Sequence, residues 1–361
     1  MKIDVPFRRV IIFLITVFLL VLVFSGCKGK AAVRKQKAVT IDKNLSPEAE
    51  DLVRTGIGYH DRGDYKTAID YYNRAMKLSP GHPVIYYEMG FSSLYMDDSK
   101  TALDLAEKGI ANAKALDYNE LIPTLLDLKG SALDNLGRRN EAIEVYLQAI
   151  NEYGAANTLL YYNLGLSYYR SDRREEAAEA ISKGLVINPN HPSSNYLLGR
   201  IYMEGGMKTQ AFYALCYFLL LEPYTDRAAQ SYKTVVYMLS SRDETGYRNN
   251  GTFTPADTVI STAYTLDETN SRLEDKEKTQ AKLRYVFTTL EEQKNSRRIN
   301  RSEGDELWWD FYSPFFYRIA GSRHFDTFCR YIGLSADPNA DNWIENGRDE
   351  IEGFFEWLNL Y

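Results

Sequence analysis

The spacing of apolar residues divides the chain into three stretches. Val10 to Phe24 is an almost unbroken apolar run of about fifteen residues, shorter than the roughly 20 a helix needs to cross a bilayer. From about 49 to 242, apolar side chains recur at helical spacing and a longer period is superimposed. Glycines stand at 56, 90, 130, 165 and 199, and alanines at 68, 102, 142, 177 and 211. Both series step by 34, 40, 35 and 34 residues, each glycine twelve residues ahead of its alanine. Two helices and a turn fit within each period. Beyond 242 the spacing stays helical and the period is lost.

The first unit reads Leu52, Gly56, Tyr59, Ala68, Tyr72, Ala75, Pro80. The fourth reads Tyr161, Leu164, Gly165, Tyr168, Ala177, Ile181, Gly184, Pro189, and the fifth Leu198, Gly199, Tyr202, Ala211, Leu215, Phe218, Pro223. The second lacks the closing proline, the third has Gly154 in its place, and six extra residues separate the two. This series resembles the tetratricopeptide repeat (TPR). The resemblance implies an all-α TPR solenoid over 49–242, with about five helix-turn-helix repeats and a capping helix at Asp226 to Leu239. Glycine and alanine sit where paired helices approach closely, proline stops the second helix, and Gly63-Asp64 and Gly137-Arg138 supply turns. Neighbouring repeats stack because one alone cannot bury its apolar face.

The family's first helices line a groove. Its positions fall here on Val53, Ile57 and His60; Tyr87, Phe91 and Leu94; Asp127, Ser131 and Asp134; Tyr162, Leu166 and Tyr169; and Tyr196, Arg200 and Met203. The lining is aromatic and poor in cations, so it lacks the basic set with which chaperone-tail TPR domains clamp a carboxylate. Aromatics with polar tips are common interface anchors. Tyr87, Phe91, Tyr162, Leu166, Tyr169, Tyr196 and Arg200 are therefore the candidate partner-binding residues, for an apolar or aromatic protein segment. The competing reading is that the C-terminal region or a second copy covers several of these tyrosines.

Residues 243–361 are expected to form a non-repeating, aromatic-rich helical domain after a polar linker. A long helical pattern runs over Asp267 to Ser296, and further helices are expected over Glu306 to Ile319, Phe325 to Ile332 (short) and Asn342 to Leu360, with Pro314 kinking or dividing the second. The cluster Trp308, Trp309, Phe311, Tyr312, Phe315, Phe316 and Tyr317 reads most simply as core; an apolar ligand pocket and membrane-surface insertion are the alternatives.

The N-terminus reads as an address. Lys2, Arg8 and Arg9 precede the apolar run, as in a secretory signal. Val23-Phe24-Ser25-Gly26-Cys27 resembles the lipobox of bacterial lipoproteins, with Phe24 where an aliphatic residue is typical. The resemblance implies a signal peptide over 1–26 and acylation of Cys27 (palmitate among the chains), with 27–48 as lipidated cysteine and tether. Lys28 favours the outer membrane, facing the periplasm. The tether's Lys28, Lys30, Arg34, Lys35 and Lys37 alternatively form a stripe for anionic head groups.

Composition narrows the function. The 361 residues are 45% hydrophobic and 25% charged, which excludes bulk disorder. A net charge of −6 disfavours nucleic acid as a partner. Three cysteines and four histidines exclude a disulfide framework, and no metal or cofactor other than the Cys27 lipid is expected. Cys216 and Cys329 read as buried, inert thiols. No nucleophile elbow, phosphate loop or paired-histidine zinc motif occurs, so no catalytic residue is assigned. The chain reads as a non-enzymatic, lipid-anchored periplasmic TPR scaffold for envelope assembly, secretion or transport. Its candidate partners are a protein segment in the groove, the membrane through the lipid and further copies of itself. The alternative is a ligand-binding lipoprotein that uses the C-terminal aromatics.

Overall fold

A computed structural model describes residues 45–154, 157–240, 255–269, 274–295 and 306–359. The apolar run and Cys27 lie outside them. Regular structure among the described residues is entirely helical. Contacts divide the chain into two compact units, one running to Ile187 and one from Asn188 onward.

The first unit holds four helical pairs. They are α1 (Pro47–Asp61) with α2 (Tyr65–Leu78), α3 (Pro83–Tyr95) with α4 (Ser99–Ala115), α5 (Ile122–Asn135) with α6 (Arg139–Tyr153), and α7 (Thr158–Arg170) with α8 (Arg174–Ile187). Several starts have a local cause. Ser46 accepts from the Ala49 N–H and Pro47 fills the first turn of α1, while Asp64 and Asp98 cap α2 and α4 by accepting from Thr67 and Thr101.

The turn inside each pair needs one residue with positive φ. Gly63 supplies it in the first pair, as the sequence predicts, but Asp97 and Asp172, both at φ 60°, do so in the second and fourth. The third pair ends at left-handed Gly154, whose N–H returns to the Ala149 carbonyl, so glycine replaces proline as the stop. The six extra residues become a longer α4 and a 3₁₀ turn at Asn119–Leu121.

The glycine and alanine series mark close approach. Ala68, Ala102, Ala142 and Ala177 are fully buried. A Cβ at Gly90 would lie 2.7 Å from Leu128 Cδ2, and one at Gly56 or Gly130 would overlap the ring of Tyr72 or Tyr146. The first helices α1, α3, α5 and α7 touch in succession and form one layer.

The second unit contains the fifth pair, α9 (Pro192–Glu204) and α10 (Lys208–Leu221), then α11 (Asp226–Ser240), α12 (Pro255–Thr262), α13 (Leu266–Thr269) and α14 (Asp275–Asn295). A π-helical turn (Leu307–Tyr312) leads into α15 (Ser313–Ala320), followed by α16 (Phe325–Ile332), α17 (Ala340–Asn346) and α18 (Arg348–Asn359). The helix expected over 306–319 is divided as Pro314 implies, since a wide turn accommodates the missing N–H. The pattern over 342–360 is also divided, at Gly347, where a Cβ would sit 2.8 Å from the Trp343 carbonyl.

Helix α10 is apolar all round and buried from Ala211 to Leu221, the mark of a central helix. Tyr213 stacks on Phe316 of α15 at 5.5 Å, and Phe316 on Phe287 of α14 at 4.6 Å. Tyr217 meets Phe311 and Phe315 edge-on at 5.1 Å. The aromatics beyond 306 thus build one core with the fifth repeat. Helix α11 occupies the expected 226–239 span, and the ring of Tyr232 on it crowds the space a side chain at Gly333 would need.

Candidate functional site

The positions singled out on α1, α3, α5 and α7 lie along the layer of first helices, and neighbouring helices join there through side chains. Its two halves differ in chemistry. In the first two repeats it is aromatic. His60 stacks on Phe91 at 5.0 Å, meets Tyr65 and Tyr95 edge-on, and places Nδ1 2.8 Å from Ser92 Oγ. Tyr87 stacks on Phe91 at 5.7 Å. His60, Phe91 and Val53 are buried, whereas Ile57, Tyr87 and Leu94 are half-buried. His60 and Phe91 therefore form the floor, and Tyr87 and Leu94 remain reachable from solvent.

In the third and fourth repeats the same layer is polar between flanking apolar groups. Asn163 Nδ2 donates to Asp127 Oδ1 at 2.9 Å. Arg170 donates to Asp134 Oδ2, and Arg139 Nε lies 3.8 Å from Oδ1 of the same carboxylate. Ser131 Oγ lies 3.2 Å from the Tyr146 hydroxyl. Tyr162, Leu166 and Tyr169 are half-buried beside this row. Burial pushes the Asp127 carboxyl up to about 6, against the opposing pull of the Asn163 hydrogen bond.

Sequence reasoning missed Asn163 and Arg170. Each lies one residue beyond a mapped groove position and 36 residues after its acid. A search for complementary side chains one repeat plus one or two residues away would have found both.

Tyr196 and Arg200 lie on α9, in the second unit. Tyr196 packs on Phe218 at 5.1 Å, with Arg227 and Arg200 over its ring at 5.2 and 5.9 Å. One stripe round the helix, Tyr202 meets Trp308 edge-on at 5.2 Å and Asn195 Oδ1 accepts from the Tyr312 hydroxyl. The C-terminal aromatics thus cover the α9 flank beside the mapped positions, and their rings are engaged in packing.

Cys216 and Cys329 are buried free thiols, both pushed up by burial. Among the described residues no group of three or more His, Cys, Asp or Glu is placed to hold a metal ion. No helix among them is long and apolar enough to cross a membrane.

Family models described as tetratricopeptide repeat match residues 59–82, 123–153 and 158–191, in the first, third and fourth repeats. The chain carries tetratricopeptide repeats in an all-α solenoid. It is 29% identical over 163 residues to the BBSome complex member BBS4 of Bos taurus, a match covering 45% of this chain and 30% of that protein. It is 27% identical over 137 residues to the TPR repeat-containing protein MJ1428 of Methanocaldococcus jannaschii, covering 38% of this chain and 22% of that one. The chain thus spans under a third of either relative's length. Among solved structures, PilF of Pseudomonas aeruginosa superposes with a TM-score of 0.47 at 17% identity, over 65% of this chain and 97% of that one.

Proposed function

We propose that this protein is a lipid-anchored adaptor of the bacterial cell envelope, whose layer of first helices holds a segment of a protein partner. Repeats of this kind generally serve as scaffolds for protein–protein interaction. The observation that carries the reading is the row of half-buried Tyr87, Leu94, Tyr162, Leu166 and Tyr169 along one continuous layer. Large rings with a polar tip, held over a packed floor, lose little side-chain freedom on binding. The floor of His60 and Phe91 holds Tyr87 in place.

The address rests on the sequence at Val23 to Cys27. Acylated Cys27 would hold the chain at the outer membrane, facing the periplasm, with the following residues as tether. Several acyl chains on one cysteine make a lasting anchor where one is marginal. The protein performs no chemistry in this reading; it positions a partner at the membrane for envelope assembly, secretion or transport.

The test is affinity capture from native envelopes with wild type and a Tyr87→Ala, Tyr162→Ala, Tyr169→Ala variant that retains its helical circular dichroism. One partner captured by wild type and lost from the variant supports the groove; equal capture by both refutes it. Cys27→Ser tests the anchor separately, since it should release the protein from the membrane fraction and leave partner capture in detergent unchanged.

A further inference from the structure

Two acids on α5 have different partners, and the difference bears on what the bound segment carries. Asp127 and Asp134 lie two turns apart on one helix face. Asp134 is buried and has guanidinium partners, Arg170 from the next repeat and Arg139. Asp127 has a neutral one, the Asn163 amide, and among the described residues no cation pairs with it. A half-buried carboxylate without a counter-charge is costly when ionised, and burial indeed raises its pKa. Asn163 cannot neutralise it, but does fix the carboxylate's orientation. Tyr87 on one neighbouring first helix and Tyr162 on the other offer apolar surface to either side along the layer.

We infer that Asp127 is the anchor for a lysine or arginine of the bound segment, flanked by aromatic or aliphatic residues that pack on Tyr87 and Tyr162. The inference rests on the groove reading and specifies its occupant by charge complementarity: an extended peptide with a basic residue between apolar ones. An acidic or C-terminal carboxylate motif would meet a like charge here and be rejected.

The test is selection of random 12-residue peptides by display on the full chain in detergent, in parallel on wild type, Asp127→Asn and Tyr87→Ala/Tyr162→Ala. The wild-type pool is expected to share a Lys or Arg at fixed spacing from an aromatic or aliphatic residue. The Asp127→Asn pool should keep the apolar preference and lose the basic one. A synthetic peptide from the wild-type pool should bind wild type at least about tenfold more tightly than its norleucine analogue, and Asp127→Asn should erase that difference. The norleucine comparison is made on wild type, so it stands even if a variant misfolds. A pool that depends on Tyr87 and Tyr162 but shows no basic preference, or one whose basic preference survives Asp127→Asn, overturns the inference and leaves the groove intact. A pool unaffected by the tyrosine variant overturns the groove reading itself. Dimers in sedimentation that the tyrosine variant abolishes would make a second copy the occupant and also overturn the inference.

Discussion

Gly56 of α1 and Tyr72 of α2 interlock, because the ring of Tyr72 occupies the space a side chain at 56 would need. Two residues away, a Cβ at Gly58 would meet only Arg62 Nη1, at 3.8 Å. The two glycines should therefore respond oppositely to alanine. Gly56→Ala is expected to cost about 1–3 kcal/mol by overpacking, and Gly58→Ala to gain about 0.5–1 kcal/mol from helix propensity. Urea unfolding of the two variants reads both signs. Equal effects would mean that packing against Tyr72 does not constrain the first pair.

Asp127 predicts a pH dependence of stability with a definite sign. The carboxyl titrates at 3.8 when unperturbed and at about 6 in the fold. Between these values the folded chain holds more protons than the unfolded one, so stability falls as pH rises through this window. Asp127→Asn should be more stable than wild type by about 1–2 kcal/mol at pH 7.5, an advantage that vanishes below pH of about 4. Unfolding at the two pH values checks it. The groups beside Asp127, namely Asn163 and Tyr146, are retained in the variant. A site that costs stability until its ligand arrives fits the inferred role.

The fifth repeat depends on the C-terminal helices. Ending the chain at 242 removes Phe287, Phe311, Tyr312 and Phe316, which pack on Tyr213 and Tyr217. Residues 188–240 are expected to lose amide protection in hydrogen exchange, while 45–187 keep theirs. Unchanged protection of α10 would contradict the shared core.

Cys216 and Cys329 are both buried, and burial raises both thiols. Neither should react with iodoacetamide in the native protein, and both should react in denaturant. Mass mapping of the alkylated peptides distinguishes them from Cys27.

The repeats were legible because helix pairs approach too closely for anything but Gly56, Gly90, Gly130 and Gly165 on one side and alanine on the other. Turn chemistry was half-legible. Gly63 and Gly137 announce a left-handed residue, whereas Asp97 and Asp172 adopt the same conformation without a compositional sign. The groove's aromatic members followed from the family's positions. Which of them form floor and which form surface did not, since burial of His60 depends on Tyr65, Phe91 and Tyr95, contacts across helices. The acid pairs were missed for the same reason: Asn163 and Arg170 lie one repeat away. The division at Gly347 was hidden because the apolar spacing continues through it.

The most direct test of the adaptor account places a photocrosslinking amino acid at single positions in the native host. The account predicts one discrete adduct with another protein when the crosslinker replaces Tyr87 or Tyr162, and none when it replaces Lys77 or Glu179 on the second helices. Adducts from the second helices alone, or none from either tyrosine position, would contradict it.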